Sequence, residues 1–413
     1  MKIPIHSYED FVKHLGDREY FGQKLGLERI QSLLARLGNP QEKFRSVHIA
    51  GTNGKGSTAA MIAAILEEAG YRTGLYTSPH LQDFCERIRV DGMPITPDEV
   101  LKQARHIREV EDEPLTFFEL ATAIGFLHFA EEGVDLAVVE TGLGGRLDAT
   151  NVIQPVLSVI TTIARDHTAQ LGEALEEIAF EKAGIVKPGV PVVVGLVPPE
   201  ALEVIREQAS KKGARFVPVV MDLIPPNIPI RLEGAHQRRN ANLALATVDV
   251  LNALGEIRVN RDAVWRGFEN VRWPGRLETV SAEPEGPWIL LDGAHNPEAM
   301  RAVRDYLEEN LEGRKLTVVL GAMADKDLRG ILTEIAPLAS RIIVTAPAVE
   351  RAAAPAVLAE HASSFGLDAI VCRGVPEAMG RIVEEIAPEE VLLITGSFFT
   401  VGEARRWLAD HSG

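Results

Sequence analysis

Short runs of apolar, β-branched residues alternate with stretches of helical period along most of the chain. Ser46–Ala50, Asp135–Glu140, Val156–Ala164 and Val190–Val197 form a first series of such runs. A second series comprises Trp288–Asp292, Leu316–Leu320, Arg341–Thr345, Asp368–Cys372 and Val391–Thr395. Tracts such as VVLG and LLITG are apolar without alternation, which marks strands covered on both faces, as helices cover a parallel sheet. The pattern therefore predicts an α/β architecture. Helix punctuation agrees. Thr116-Phe-Phe-Glu119 is a capping box ahead of the apolar stretch to Ala130, and Gly133 stops that helix. Thr96-Pro97-Asp98-Glu99 is another capping box, with proline at the first helical position. Glu173–Ala183 reads as a helix ended by Gly184 and Pro188.

The clearest break in composition is Ser281–Pro287 (SAEPEGP), where two prolines, a glycine and acids precede the strand at Trp288. It predicts two domains, 1–280 and 287–413, joined by a linker at 281–286. A chain of 413 residues is long enough for both to bury a core. The net charge of −16 makes a nucleic-acid backbone or an anionic membrane a poor partner. Anionic ligands must then be met by local positive features. Two distant cysteines, Cys85 and Cys372, offer neither a disulfide framework nor a CxxC site. No apolar run reaches the length of a membrane span, and MKIPIHSYED does not read as a signal peptide, so a cytoplasmic protein is expected.

SVHIA, GTNGKG and STAAMIAAILEEAG read in turn as a buried strand, a glycine-rich turn and a helix ending at Gly70. That order makes an anion site, because backbone N–H groups point outward where the helix dipole is positive. Gly51–Thr58 (GTNGKGST) is thus expected to bind ATP through Thr52, Asn53, Gly54, Lys55, Gly56, Ser57 and Thr58. Lys55 can reach the β- and γ-phosphates, and Ser57 or Thr58 can offer a hydroxyl to Mg²⁺. The loop departs from the usual GxxxxGK[ST], since Ile49 stands at the first glycine position and Gly56 follows the lysine. An ordinary strand–helix turn is the competing reading. Glu140 ends a strand, where open α/β sheets place ligands, although by itself it also reads as a solvated loop residue.

The variant loop GTNGKGS resembles that of the Mur ligases, which form amide bonds at the expense of ATP. Seven further motifs narrow the resemblance: GLERIQSLLARLGNP (Gly26–Pro40), TSPHL (Thr77–Leu81), ETGLGGRLDATN (Glu140–Asn151), Asp166-His167, EKAGI (Glu181–Ile185), PGRLE (Pro274–Glu278) and DGAHNP (Asp292–Pro297). Together they are similar to the folylpolyglutamate synthase / dihydrofolate synthase family. The resemblance implies an N-terminal phosphate-loop ATPase domain with a mostly parallel sheet, and a smaller Rossmann-like C-terminal domain closing over the nucleotide.

It also implies roles. Ser57, Ser78 and Glu140 match magnesium ligands, and His167 matches a ligand of a second magnesium, although imidazole is not a preferred Mg²⁺ donor. Lys182 of EKAGI matches a lysine that CO₂ can carbamylate, although a lysine near a helix C-terminus is also expected on dipole grounds. Arg276, Asp292 and His295 match ATP contacts, and Asn240 an adenine-side contact. Phe118, Leu147, Asp148 and Ala149 match the pterin-binding positions of bifunctional members. A ring can stack on a flat heterocycle and a carboxylate can accept from its N–H groups, while Phe118 also reads as core and Asp148 as a turn residue. The sequence departs from the family at Thr161–Ile163 (TTI for TNI), at Ala174 where threonine is common, and at GSFFTVGE where GSLYLVGE is familiar.

The activity implied is ATP-dependent addition of L-glutamate to a folate or to dihydropteroate, through an acyl phosphate, by a cytoplasmic monomer using one or two Mg²⁺. Three other readings stand beside it. One is a Mur-type ligase acting on a UDP-sugar, against which GRLDATN and TFFE speak. Another is a nucleotide-driven ATPase without ligase activity. The third is a dinucleotide-binding module, for which GxGxxG is missing after the first strand of the second half.

Overall fold

Strands and helices alternate through both halves of the chain in the computed structural model, which describes residues 7–19, 26–219, 221–281 and 286–411. β1 (Arg45–Ala50), β2 (Thr73–Tyr76), β3 (Ile88–Val90), β4 (Met93–Pro94), β5 (Leu136–Glu140), β6 (Leu157–Ile160), β7 (Val192–Val194) and β8 (Phe216–Pro218) form an eight-stranded sheet. Their order is β4-β3-β2-β5-β1-β6-β7-β8. From β2 to β8 every neighbouring pair is parallel, while β3 and β4 add an antiparallel edge. The central strands are apolar on both faces because helices cover both. Every residue of β5 is buried, and the helix Phe117–Glu131 on one side is buried around most of its circumference.

The second sheet contains β9 (Glu278–Ser281), β10 (Trp288–Leu291), β11 (Leu316–Leu320), β12 (Ala339–Val344), β13 (Ile370–Val371) and β14 (Val391–Thr395). Its order is β13-β12-β11-β14-β10-β9, parallel except for the β9–β10 pair. It has its own core, built on Leu290, Met300, Val318, Leu320, Ile331, Ile342 and Leu393.

The chain divides into two compact units, one covering residues up to Arg231 together with Arg238–Val271, the other Leu232–Gln237 together with Arg272 onward. The division thus falls between Val271 and Arg272 and not at the expected linker, 281–286. The physical reason is β9, which pairs with β10 and draws residues 278–281 into the second sheet. The Pro- and Gly-bearing break connects two strands of one sheet, and its residues 282–285 lie outside those described. Both predicted capping boxes are present, at Thr96/Glu99 and Thr116/Glu119. The helix expected at Glu173–Ala183 begins at Leu175, where the Glu177 carboxylate accepts from Ala174 N–H at 3.1 Å. Alanine there lacks the hydroxyl that would complete the box.

Candidate active site

β1 is flanked by β5 and β6, so its end opens at the point where the chain departs to either side of the sheet, the usual ligand crevice of an open parallel sheet. Register places Ile49 opposite both Glu140 and Val159. The turn after β1 fits because of its glycines. At Gly51 (φ +153°) a Cβ would fall 1.8 Å from Thr161 Oγ1. At Gly54 (φ +83°) it would fall 2.4 Å from Asn240 Oδ1. Gly54 is the N-cap of the helix Lys55–Glu68 and no side chain caps that end, which leaves the first-turn N–H groups for an anion.

The loop is held from behind by the segment after β6. Thr52 N–H donates to Thr162 O at 2.8 Å, and Asn53 N–H to Thr162 Oγ1 at 3.0 Å. Thr161 Oγ1 donates to Asn53 O at 2.7 Å, while Thr52 Oγ1 accepts from Ala164 N–H at 3.0 Å. Thr161 and Thr162 were not among the residues singled out from sequence. The TTI departure points to Thr162, while Thr161 is common to TTI and TNI. Both hydroxyls hold the phosphate loop.

Lys55 Nζ donates to Thr52 O at 3.2 Å and lies 3.9 Å from Glu140 Oε1. Glu140 is buried, and its Oε2 accepts from Ser78 N–H at 3.2 Å. Lys55, Glu140 and Ser78 are therefore brought together. Ser57 and Thr58 are buried in the first turn of the helix that follows. For the divalent ion that the resemblance implies, Glu140, Ser57 and Ser78 supply hard oxygen donors of the type Mg²⁺ takes. His167 stands at φ +50° as the N-cap of the short helix Thr168–Leu171, with Nε2 3.9 Å from Asp166 Oδ1. Its imidazole suits Zn²⁺ better than Mg²⁺.

Lys182 is buried, and its Nζ donates to Gly51 O at 2.8 Å. Burial, and then the Lys55 charge, push its ammonium down to about 7 from an ordinary 10.5. Asp166 and Asp148 oppose the shift, which places both acids within electrostatic reach of that amine. The same shift means that the amine is substantially neutral near pH 7, a state in which it is a nucleophile.

On the other side of β5, Phe118 lies over the first residues of the loop after Glu140. A Cβ on Gly142 would come 2.6 Å from Phe118 Cζ, and the Phe118 ring tilts against Tyr76 at 6.1 Å. Asp148 folds this loop back on itself. Its Oδ2 accepts from Gly142 and Leu143 N–H at 2.9 and 2.8 Å, and its Oδ1 from Thr150 N–H at 3.0 Å and from the Thr150 hydroxyl. Burial nonetheless raises its carboxyl. A pterin donor reaching Asp148 would have to displace one of these partners. Behind them His48 Nε2 meets Thr150 Oγ1 at 2.8 Å, and burial depresses that imidazole to about 3. Leu147 is half-buried and Ala149 buried in the same turn.

In the second unit, Asp292 follows β10 and is buried, with Oδ2 accepting from Leu277 N–H and Oδ1 from Ala294 N–H, both at 2.8 Å. Its carboxyl is raised by burial, against the pull of Arg276. Arg276 lies 4.4 Å above the Phe398 ring, and His295 packs 5.9 Å from the same ring. Two residues matched to ATP contacts, Arg276 and His295, therefore gather on one aromatic, which the GSFF departure supplies. Asn240, matched to the adenine side, is placed against Gly54 of the phosphate loop.

Comparison with known proteins gives these loops a family. Residues 49–222 match the Mur ligase middle domain, and residues 275–398 match the Mur ligase glutamate ligase domain. The chain is 36% identical to the dihydrofolate synthase/folylpolyglutamate synthase of Bacillus subtilis, over 97% of this chain and 99% of that one. The solved structure of Escherichia coli FolC in complex with DHPP and ADP superposes with a TM-score of 0.90, at 29% identity over the whole of both chains. The bifunctional folylpolyglutamate synthase/dihydrofolate synthase of Yersinia pestis, solved with AMPPNP and Mn ion, gives 0.88 at 29% identity, over 99% of this chain and 100% of that one. Those complexes are a nucleotide-binding and divalent-metal-binding precedent on this fold. The chain belongs to the folylpolyglutamate synthase / dihydrofolate synthase family of the Mur ligase superfamily.

Proposed function

We propose that this chain is an ATP-dependent ligase that joins L-glutamate to folates, and also to dihydropteroate, with release of ADP and phosphate. The observation that carries the reading is the convergence of Lys55, Glu140, Ser78 and Lys182 on the glycine loop at the end of β1. In the first step a carboxylate oxygen of the folate substrate attacks the γ-phosphorus of ATP. The bond from that phosphorus to the β,γ-bridging oxygen breaks, giving an acyl phosphate and ADP. In the second the amine of L-glutamate attacks the acyl carbon, the amide forms, and phosphate leaves with the bond electrons.

The chain's part is mainly positioning and charge. Lys55 and the first-turn N–H groups hold the phosphates. Thr161 and Thr162 keep the loop in register behind them. Ser57, Ser78 and Glu140 would hold Mg²⁺, with His167 at a second ion. A bound ion neutralises charge on the transferring phosphoryl group. Lys182, about half neutral at pH 7, would add through Nζ to CO₂ with loss of a proton, giving a carbamate anion that could help hold a second ion. Phe118, Leu147 and Ala149 form the pterin surface, with Asp148 organising it. Arg276, His295 and Asn240 contribute to nucleotide binding, with Asp292 shaping the loop that carries His295. The enzyme works as a cytoplasmic monomer on these small molecules.

Phosphate release is the test. With ATP, Mg²⁺ and L-glutamate, purified protein should turn over on adding either dihydropteroate or tetrahydrofolate. Mass analysis should show one added glutamate on the first and one or more on the second. Turnover with no folate present would instead mark a plain ATPase. Silence with dihydropteroate alone would remove the second activity.

A further inference from the structure

Away from the phosphate loop, the helices Pro97–Val110 and Phe117–Glu131 pack on one another beneath a small cluster of titratable groups. Glu99 lies in the first turn of the former. His128 lies in the last turn of the latter, and Glu132 is its C-cap. His128 and Glu132 are four residues apart, so they project from one helix face. One ligand-type atom from each of the three residues lies within 4.8 Å of the other two.

His128 is the independent observation. It is only 5% exposed, yet among the described residues neither ring nitrogen has a hydrogen-bond partner. This largely buried side chain faces two carboxylates. Both carboxylates keep donors elsewhere that would orient them. Glu99 Oε2 accepts from Thr96 N–H at 2.8 Å and from the Thr96 hydroxyl at 2.7 Å. Glu132 Oε2 pairs with Arg72. Such outer partners fix the direction of a ligand, as they do around established metal sites. Local charge points the same way: Glu99, Glu131 and Glu132 cluster here, with Arg72 pairing Glu132 and Lys102 pairing Glu131.

We propose that Glu99, His128 and Glu132 form a binding site for a zinc-class divalent cation, bridging the two helices outside the ligase centre. One imidazole with two carboxylates is a nitrogen/oxygen donor set that zinc accepts and an all-oxygen Mg²⁺ site does not resemble. Three protein ligands leave a position for water, and the half-exposed carboxylates give the ion a path from solvent. The ion would satisfy His128 and fasten the start of one helix to the end of the other.

The experiment is calorimetric titration of ZnCl₂ into full-length, chelator-stripped protein in excess Mg²⁺ and ADP, so that the ligase centre is already filled. Wild type should take up one equivalent, and its Tm should rise with Zn²⁺. His128→Ala and Glu132→Gln should each weaken that uptake by at least about 10-fold, while Glu140→Gln retains it. Should His128→Ala fail to fold, Glu132→Gln decides, since it keeps the size of a half-exposed side chain. Uptake by Glu132→Gln equal to wild type, or uptake lost in Glu140→Gln instead, would overturn the proposal. So would no uptake at all, which would leave the cluster a group of polar side chains without a bound ion.

Discussion

At the end of β1 one lysine reaches a buried glutamate and a second, buried lysine donates to the glycine loop, whereas at the end of β10 an arginine meets a carboxylate that two backbone N–H groups already satisfy. Both are strand-end loops of parallel sheets, and both carry residues matched to ATP contacts. They differ in what they keep in reserve. Lys182 is pushed down by burial and then by the Lys55 charge, so the first loop holds two amines that repel one another, a repulsion that arriving phosphate would offset. Asp292 is held by Leu277 and Ala294, so the second loop holds its shape through its own hydrogen bonds. One loop is prepared for charge, the other for form.

The largest effect should therefore come from the first loop. Lys55→Ala should lower kcat/KM for ATP on the order of 10³-fold, the scale of removing a preorganised donor to a transferring group. Arg276→Ala in the second unit should cost only about 10-fold, since its partners on Phe398 remain and the loop keeps its backbone bonds. Steady-state phosphate release on both variants tests this. Equal losses would break the comparison.

Lys182 tests the reserve of charge more directly. Its neutral fraction grows as pH rises through about 7. In the carbamate scheme, activity should climb over the same interval, and bicarbonate should restore a CO₂-stripped enzyme. Lys182→Met should lose activity about 10²-fold, with no response to bicarbonate. Stability should rise with pH as well. Between about 7 and 10.5 the unfolded chain holds a proton on this lysine that the folded chain has shed. Folded stability therefore rises with pH through that window, while below it the full cost of burying the cation remains. At ~1.4 kcal/mol per tenfold change in proton affinity, the cost is on the order of 3–5 kcal/mol. In CO₂-free buffer at pH 6, Lys182→Met should melt above wild type, and its stability should depend less on pH. A Tm equal to or below wild type at pH 6 would mean that the lysine is held charged without penalty.

Local chemistry made much of this visible in the amino-acid sequence. Strand, glycine turn and helix N-terminus are contiguous, so the loop at Gly51–Thr58 could be read from spacing alone. The caps at Thr96 and Thr116 each need only four residues. What stayed hidden depends on distant approach. Thr161 and Thr162 acquire meaning only because β6 lies beside β1, more than a hundred residues away in the chain. The break at 281–287 misled for a different reason. Proline, glycine and acids serve a connection between paired strands as well as a linker, and only the β9–β10 pairing distinguishes them. β3 and β4 are too short to show a period at all. His128 shows why composition is not enough either. In FLHFAEE it reads as one polar residue in an apolar helix, and its partner Glu99 lies on another helix.

The smallest effect on chemistry should come from Asp292→Asn, and its direction is the useful part. The two chain donors approach opposite oxygens of this buried carboxylate, Leu277 N–H at Oδ2 and Ala294 N–H at Oδ1. An amide has only one oxygen, so whichever way it turns, its NH₂ faces an N–H. One backbone donor is left without an acceptor, at about 1–3 kcal/mol. The variant should thus lose Tm while kcat falls only a few-fold, because the loop bends but no group that touches phosphate is removed. Alanine at the same position should be worse for Tm, since both donors lose their acceptor. If Asp292→Asn kept its Tm and lost activity as heavily as Lys55→Ala, then Asp292 would be acting on the nucleotide itself, and the second loop would be prepared for charge after all.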